Sequence, residues 1–197
     1  MGLFAVPAAV QASEGLTNQV VMLRSVGEVE QDDSSRAVGA WLEHLTGRAP
    51  VVGLAMAMAE QIPNPDSRIT LLDSTDAFGM RRARLEWNVL PEDWSHLLRS
   101  LELTADGLAA AGVGRGRALL NLEEPWPRIQ PGMHAMGTTR MGADETAGVV
   151  DADCRVFGFD NLFIAGSSVF PTGGAANPTL TITALAIRLA DHLAEMG

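Results

Sequence analysis

Two residues near the C-terminus have the type and setting to do chemistry. His134 lies in Pro131-Gly-Met-His134-Ala-Met-Gly137-Thr138-Thr-Arg140-Met-Gly142, a glycine-bounded loop. It is the only imidazole in this stretch or the next. An imidazole titrates near neutrality, so it can take the proton from a hydroxyl group. Taken alone, a single loop histidine is more often a surface group or a satisfied core residue than a catalytic one. Asn177 lies in Asn161-Leu-Phe-Ile-Ala165-Gly166-Ser-Ser-Val-Phe-Pro171-Thr-Gly-Gly174-Ala-Ala-Asn177-Pro178-Thr179. Asparagine followed by proline predicts a helix start, with Asn177 as N-cap and Pro178 at the first helical position, where a missing N–H costs nothing.

The elements around Asn177 follow from composition. Leu162 to Ala165 is a short all-apolar run, predicting a strand buried on both faces and ended by Gly166. Thr179 to Ala194 is apolar except for Thr181, Thr183 and a narrow stripe of Arg188, Asp191 and His192, which predicts a mostly buried helix. Strand, glycine loop and helix start together offer backbone N–H groups and a positive dipole end to an anionic or electron-rich ligand. Gly173 and Gly174 either let the backbone approach that ligand or simply loosen the loop. Arg140 is free to meet a carboxylate or phosphate, or to close a salt bridge to Asp151 or Asp153.

Upstream, Asn18 to Leu23 reads as a strand after a glycine break at Gly15. Gln31 to Ser35 is a polar loop, from which Asp33 or Ser34 caps a helix over Arg36 to Leu45, closed by Gly47. Val51 to Ile62 is apolar and divides between helix and buried strand. Pro63-Asn-Pro65-Asp-Ser67 predicts a turn. Ile69 to Leu72 and Ala83 to Val89 predict two strands joined by a polar loop. Pro91-Glu92-Asp93 opens a helix running to about Ala111, with Trp94, Leu97, Leu98, Leu101 and Leu108 as its apolar face.

Composition sets the bounds. The 197 residues make one large domain or two small ones; a chain of that size buries about 70% of its unfolded surface. A 47% hydrophobic and 19% charged composition excludes disorder. The net charge of -10 argues against nucleic acid and anionic membrane surfaces as partners. No apolar run reaches the roughly 18 to 20 residues that span a bilayer. The start lacks a basic n-region, so no signal peptide is read; compartment stays open, with the cytoplasm as default. Cys154 is the single cysteine and reads as a packing residue. His44, His96, His134 and His192 have no metal-ligand spacing, so no metal site is expected. Gly112-Val-Gly114-Arg-Gly116 is followed by Arg117, fails G-x-G-x-x-G, and reads as a helix-ending loop.

The order His134-x-x-Gly137-Thr138, Val149-Val-Asp151, Arg155-Val-Phe-Gly158, Asn161 to Thr172 and Ala176-Asn177-Pro178-Thr179-Leu-Thr resembles the C-terminal region of the glucose–methanol–choline (GMC) flavin oxidoreductases. Pro7-Ala-Ala, Glu60-Gln-Ile-Pro63-Asn-Pro65-Asp-Ser67-Arg68 and Leu85-Glu-Trp87 fit the same pattern more loosely. The resemblance implies an α+β fold: a mixed sheet with packed helices over residues 1–130, forming the substrate-binding region. Residues 131–197 would be a catalytic and FAD-contacting segment whose strand–loop–helix belongs to an incomplete FAD-binding α/β domain.

It also implies FAD as cofactor and oxidation of an alcohol or sugar at a CH–OH group. His134 would be the base facing the flavin. Asn177 would be the substrate-oxygen partner, at a position where family members carry His or Asn. Asn177, Pro178 and Thr179 would contact the flavin, with Ala165 and Gly166 near its ribityl–pyrophosphate part. The family's dinucleotide-binding G-x-G-x-x-G turn does not occur in the sequence. The expectation is therefore a C-terminal part, as a truncated frame, a subunit completed by a separate N-terminal FAD-binding half, or a decayed relative; the first is carried forward. Such a chain would expose apolar surface and tend to aggregate. The alternative is a non-catalytic binding or assembly module that retains the fold.

Overall fold

The structure is a computed structural model that describes residues 2–25, 33–47, 53–116, 132, 134–174 and 176–196. The expected boundary between residues 130 and 131, Pro131, Met133, Ala175 and the start of the 31–35 loop lie outside the described residues. The chain forms two compact units, Met1–Ala59 with Leu97–Leu119, and Glu60–His96 with Leu120–Gly197.

In the first unit, β1 (Gly2–Ala5), β2 (Gln19–Ser25) and β3 (Gly53–Ala59) form an antiparallel sheet in the order β1-β2-β3. Phe4 faces Val21, which faces Ala57. Val21 on the central strand is buried. The strand choice for the ambiguous 51–62 stretch follows from this pairing. Its methionine–alanine alternation satisfies a ladder with β2, which a helix would leave open. Helix α1 (Ala8–Glu14) ends at Gly15, whose φ of 66° is a left-handed turn that glycine adopts without strain. Helix α2 spans Asp33–Thr46, starting three residues before the expected Arg36 so that Asp33 and Ser34 lie within it, and closes at Gly47 as the sequence predicts.

Helix α3 (Pro91–Ala110) carries its acids in the first turn and stops at Gly112. Within the first unit, Arg99 grips Glu14 of α1 by two bonds of 2.6 and 2.7 Å. An apolar cavity of about 320 Å³ lies in this unit, lined among others by Phe4, Val6, Val10, Leu103 and Leu108. None of its lining residues is titratable.

In the second unit, β4 (Arg68–Thr75) and β5 (Arg81–Glu86) form an antiparallel hairpin with Ile69 opposite Leu85. Asn64 makes the preceding turn, its side chain accepting from Asp66 N at 2.9 Å and its carbonyl from Ser67 N at 3.0 Å. The buried Asp93 carboxylate takes Ile62 N at 2.7 Å and Leu90 N at 2.9 Å, fixing the start of α3. Helix α4 spans Thr179–Met196.

The α+β class holds, but both sheets are antiparallel rather than mixed. Two further expectations change. Leu162 to Ala165 is not a buried strand: among the described residues it makes one bridge, Arg155 to Phe163, and Leu162 is 45% exposed. Among the described residues its backbone bonds run to 154 and 156, Ile164 N to Cys154 O and Val156 N to Leu162 O, a single crossing and not a sheet neighbour. Helix α4 is as apolar as expected, yet Leu189 is its one buried residue, and Leu180 is 82% exposed. Apolar composition marks what a helix could bury; burial needs a covering element.

Candidate functional site

The core of the second unit lies within the stretch that the sequence singles out. Val150, Cys154, Val169, Phe170 and Leu189 are buried together, with Met136, Met141, Val156, Phe163, Ile164, Ile182 and Leu185 packed on them. Ile182, Leu185 and Leu189 recur at helical spacing, so one stripe of α4 reaches this core. Phe163 and His192 meet edge to face at 6.1 Å.

His134 is exposed, and the chain that follows it is tightly held. Gly137, Thr139 and Met141 donate their N–H groups to the carbonyls of Ser167, Ser168 and Val169 at 3.4, 2.9 and 2.8 Å. Alternate residues of a segment that bends at Gly137 and turns at 138–139 thus meet consecutive residues of a 3₁₀ turn (Ser167–Val169). The Ser167 hydroxyl donates to Ala135 O at 2.9 Å, and the Thr139 hydroxyl to that of Ser168 at 2.8 Å. The two sequence stretches are therefore neighbours, fixed one residue beyond His134.

Glycines permit a second crossing. Gly142 N donates to Val150 O at 3.0 Å, and a Cβ on either Gly142 or Gly148 would overlap the other's backbone. The turn between them is organised by Asp144. Its carboxylate accepts from Thr146 Oγ1 at 2.6 Å, Thr146 N at 2.9 Å and Ala147 N at 3.1 Å. The Thr146 hydroxyl bond, then the backbone bonds, hold the Asp144 carboxyl below the usual carboxylate range.

Asp151 accepts from Asp153 N and Arg155 N, at 2.9 and 3.0 Å, and pairs with Arg155 at 3.3 Å. That corrects the partner considered for Arg140: its side chain is exposed and makes no ion pair among the described residues, while its carbonyl takes Val149 N at 2.8 Å. Cys154 is buried at a φ of 65°, a packing residue in a left-handed bend.

The helix start is shifted by one residue from expectation. The Pro178 carbonyl takes Ile182 N at 2.9 Å and α4 begins at Thr179, so Pro178 itself closes the boundary. Asn177 is exposed, and its side chain caps no N–H among the described residues, which leaves its amide free for another partner. Pro178 is buried and Thr179 exposed. Gly166 sits at φ 128°, ψ -179°, a conformation open to glycine, and nothing lies within 4 Å of where its Cβ would be. Ala165 beside it is exposed. No hydrogen bond joins His134 to Asn177 among the described residues. Contacts that sequence reasoning missed are Ser167, Ser168 and Thr139, and Glu60, whose carboxylate takes the N–H of Gly173. No metal-binding cluster of His, Cys, Asp and Glu occurs among the described residues, and no helix there is long and apolar enough to cross a membrane.

The family model described as GMC oxidoreductase matches residues 63–186. The chain belongs to the GMC oxidoreductase family. It is 36% identical over 150 residues to C-glycoside 3-oxidase from Microbacterium trichothecenolyticum, covering 74% of this chain and 27% of that protein. It is 30% identical over 143 residues to 2-methyl-1,2-propanediol dehydrogenase from Mycolicibacterium austroafricanum, with 72% and 25% covered. It is 31% identical over 144 residues to pyranose 2-oxidase from Tricholoma matsutake, with 66% and 22% covered. The chain thus spans about a quarter of the length of the curated relatives it matches. GMC oxidoreductases are in general FAD-dependent.

Proposed function

We propose that this chain supplies the base and the C-terminal flavin contacts of an FAD-dependent enzyme that oxidises an alcohol or a sugar at a CH–OH group. FAD, when bound, supplies the hydride acceptor. An imidazole nitrogen of His134 accepts the hydroxyl proton, which leaves the substrate oxygen richer in charge as hydride departs from carbon. The Asn177 amide NH2 donates a hydrogen bond to that oxygen. The start of α4 lends N–H groups and dipole, stabilising negative charge on the ring system by roughly 0.3 to 2 kcal/mol. Asn177, Pro178 and Thr179 would hold the flavin at that end, with Ala165 and Gly166 along its chain. The G-x-G-x-x-G motif does not occur in the sequence, and a dinucleotide-binding segment outside it completes the flavin site in this reading.

The observation that carries this reading is the lattice of bonds from residues 135–141 to residues 167–169. It fixes the His134 loop against the segment that leads to Asn177 and α4. The relatives' names point the same way, toward glycosides, a diol and pyranoses. Family membership supports FAD, and the open space at Gly166 with the exposed Ala165, Asn177 and Thr179 leaves room for a ligand. The test is anaerobic mixing of the complete flavin-loaded enzyme, this chain joined to the dinucleotide-binding part, with a panel of primary alcohols, diols and sugars. Loss of the visible flavin band with at least one class is expected. A band unchanged across the panel contradicts the proposal.

A further inference from the structure

We propose that Glu60 is a positioning residue that sets the loop carrying Asn177; the inference rests on the functional reading above. Glu60 follows directly on β3 and is half-buried. Its Oε1 accepts the N–H of Gly173, which is 113 residues away in sequence. Gly173 lies between the Ser167–Val169 turn and α4, four residues before Asn177. Among the described residues, this is the one hydrogen bond made within 171–177. An unpaired backbone N–H here would leave that loop without a fixed point, and a carboxylate acceptor makes the stronger kind of bond.

Packing supports the same role. A Cβ at Gly173 would stand 3.2 Å from Met136 Cε and 3.6 Å from Glu60 Cγ, so the bare glycine backbone sits between those two side chains. Met136 is two residues past His134 and packs on the core of the unit. One carboxylate and one thioether therefore meet the Asn177 loop where the His134 segment passes. Catalysis by two groups on separate loops depends on their mutual placement, and a 1 Å error costs about 10²-fold in rate. Glu60 sets that placement without touching substrate.

Glu60→Met keeps the stem and removes the acceptor, whereas Glu60→Gln keeps a neutral acceptor oxygen. In the complete flavin-loaded enzyme that contains this chain, kcat should fall about 10²-fold in Glu60→Met with KM for the alcohol little changed. Glu60→Gln should recover to within about tenfold of wild type, since a neutral acceptor makes a weaker bond. Amide hydrogen exchange of the 171–177 peptide, measured without substrate, should speed up in Glu60→Met and stay near wild type in Glu60→Gln. Should Glu60→Met fail to fold, Glu60→Ala takes its place in both measurements. Unchanged exchange and kcat in the truncated variant overturn the proposal, as does a Glu60→Gln variant as impaired as Glu60→Met. Exchange reads the loop alone, so a protein that oxidises no alcohol yet shows the exchange pattern sinks the functional reading and leaves the anchor standing.

Discussion

The hairpin β4–β5 and the irregular segment 134–170 invert the usual link between regularity and burial. The hairpin has a paired ladder and almost no burial: Ile69, Leu71 and Leu85 are 55%, 56% and 71% exposed. The 134–170 segment has isolated bridges and one 3₁₀ turn, yet it holds Val150, Cys154, Val169 and Phe170. In the second region backbone groups find partners by crossing, 139 with 168, 142 with 150, 156 with 162, instead of by laddering. Such crossings need glycine at Gly142 and Gly148 and a left-handed bend at Cys154. A region built this way can hold two chemical groups on loops in fixed places, which a flat hairpin does not do.

Truncation in each region should sharpen the contrast. Phe170→Ala removes a buried ring from the irregular core and should cost about 3 to 5 kcal/mol in chemical denaturation. Leu85→Ala on the hairpin should stay within about 0.5 kcal/mol of wild type. Equal losses at the two sites would mean that the hairpin face is covered in solution. The smallest effect belongs to Asp144, exposed in the Gly142–Gly148 turn. Its folded carboxyl is held below its ordinary value, so its contribution is present above the usual carboxylate range, about pH 4, and fades as pH falls through the lower folded value. The melting temperature of Asp144→Ala should therefore trail wild type slightly at pH 7, with the gap closing in acid. A gap that widens in acid would break this account of the turn.

Much of the regular structure was legible from local patterns. Pro91-Glu92-Asp93 and Gly112 bracket α3, Gly47 ends α2, and Pro63 to Ser67 marks the turn before the hairpin, because caps and turns act over a few residues. Elements β1 and α1 escaped notice, since four and seven residues are too short for periodicity to show. The site was legible as two stretches, carried by their glycines, by His134 and by the order of motifs. Their contact was not. Serines 167 and 168 and Glu60 act through partners 32, 29 and 113 residues away, and no local pattern encodes such pairings. The exposed face of α4 was misjudged for the same reason: hydropathy reports what a helix could bury, while its neighbours decide what it does bury.

The central claim is that His134 is the base. Its most direct test is the substitution His134→Ala in the complete flavin-loaded enzyme that contains this chain, read by turnover on the best alcohol or sugar and by flavin content. A kcat lower by about 10² to 10⁴-fold with the flavin still bound is the predicted result. Turnover within a few-fold of wild type at full flavin occupancy would contradict it.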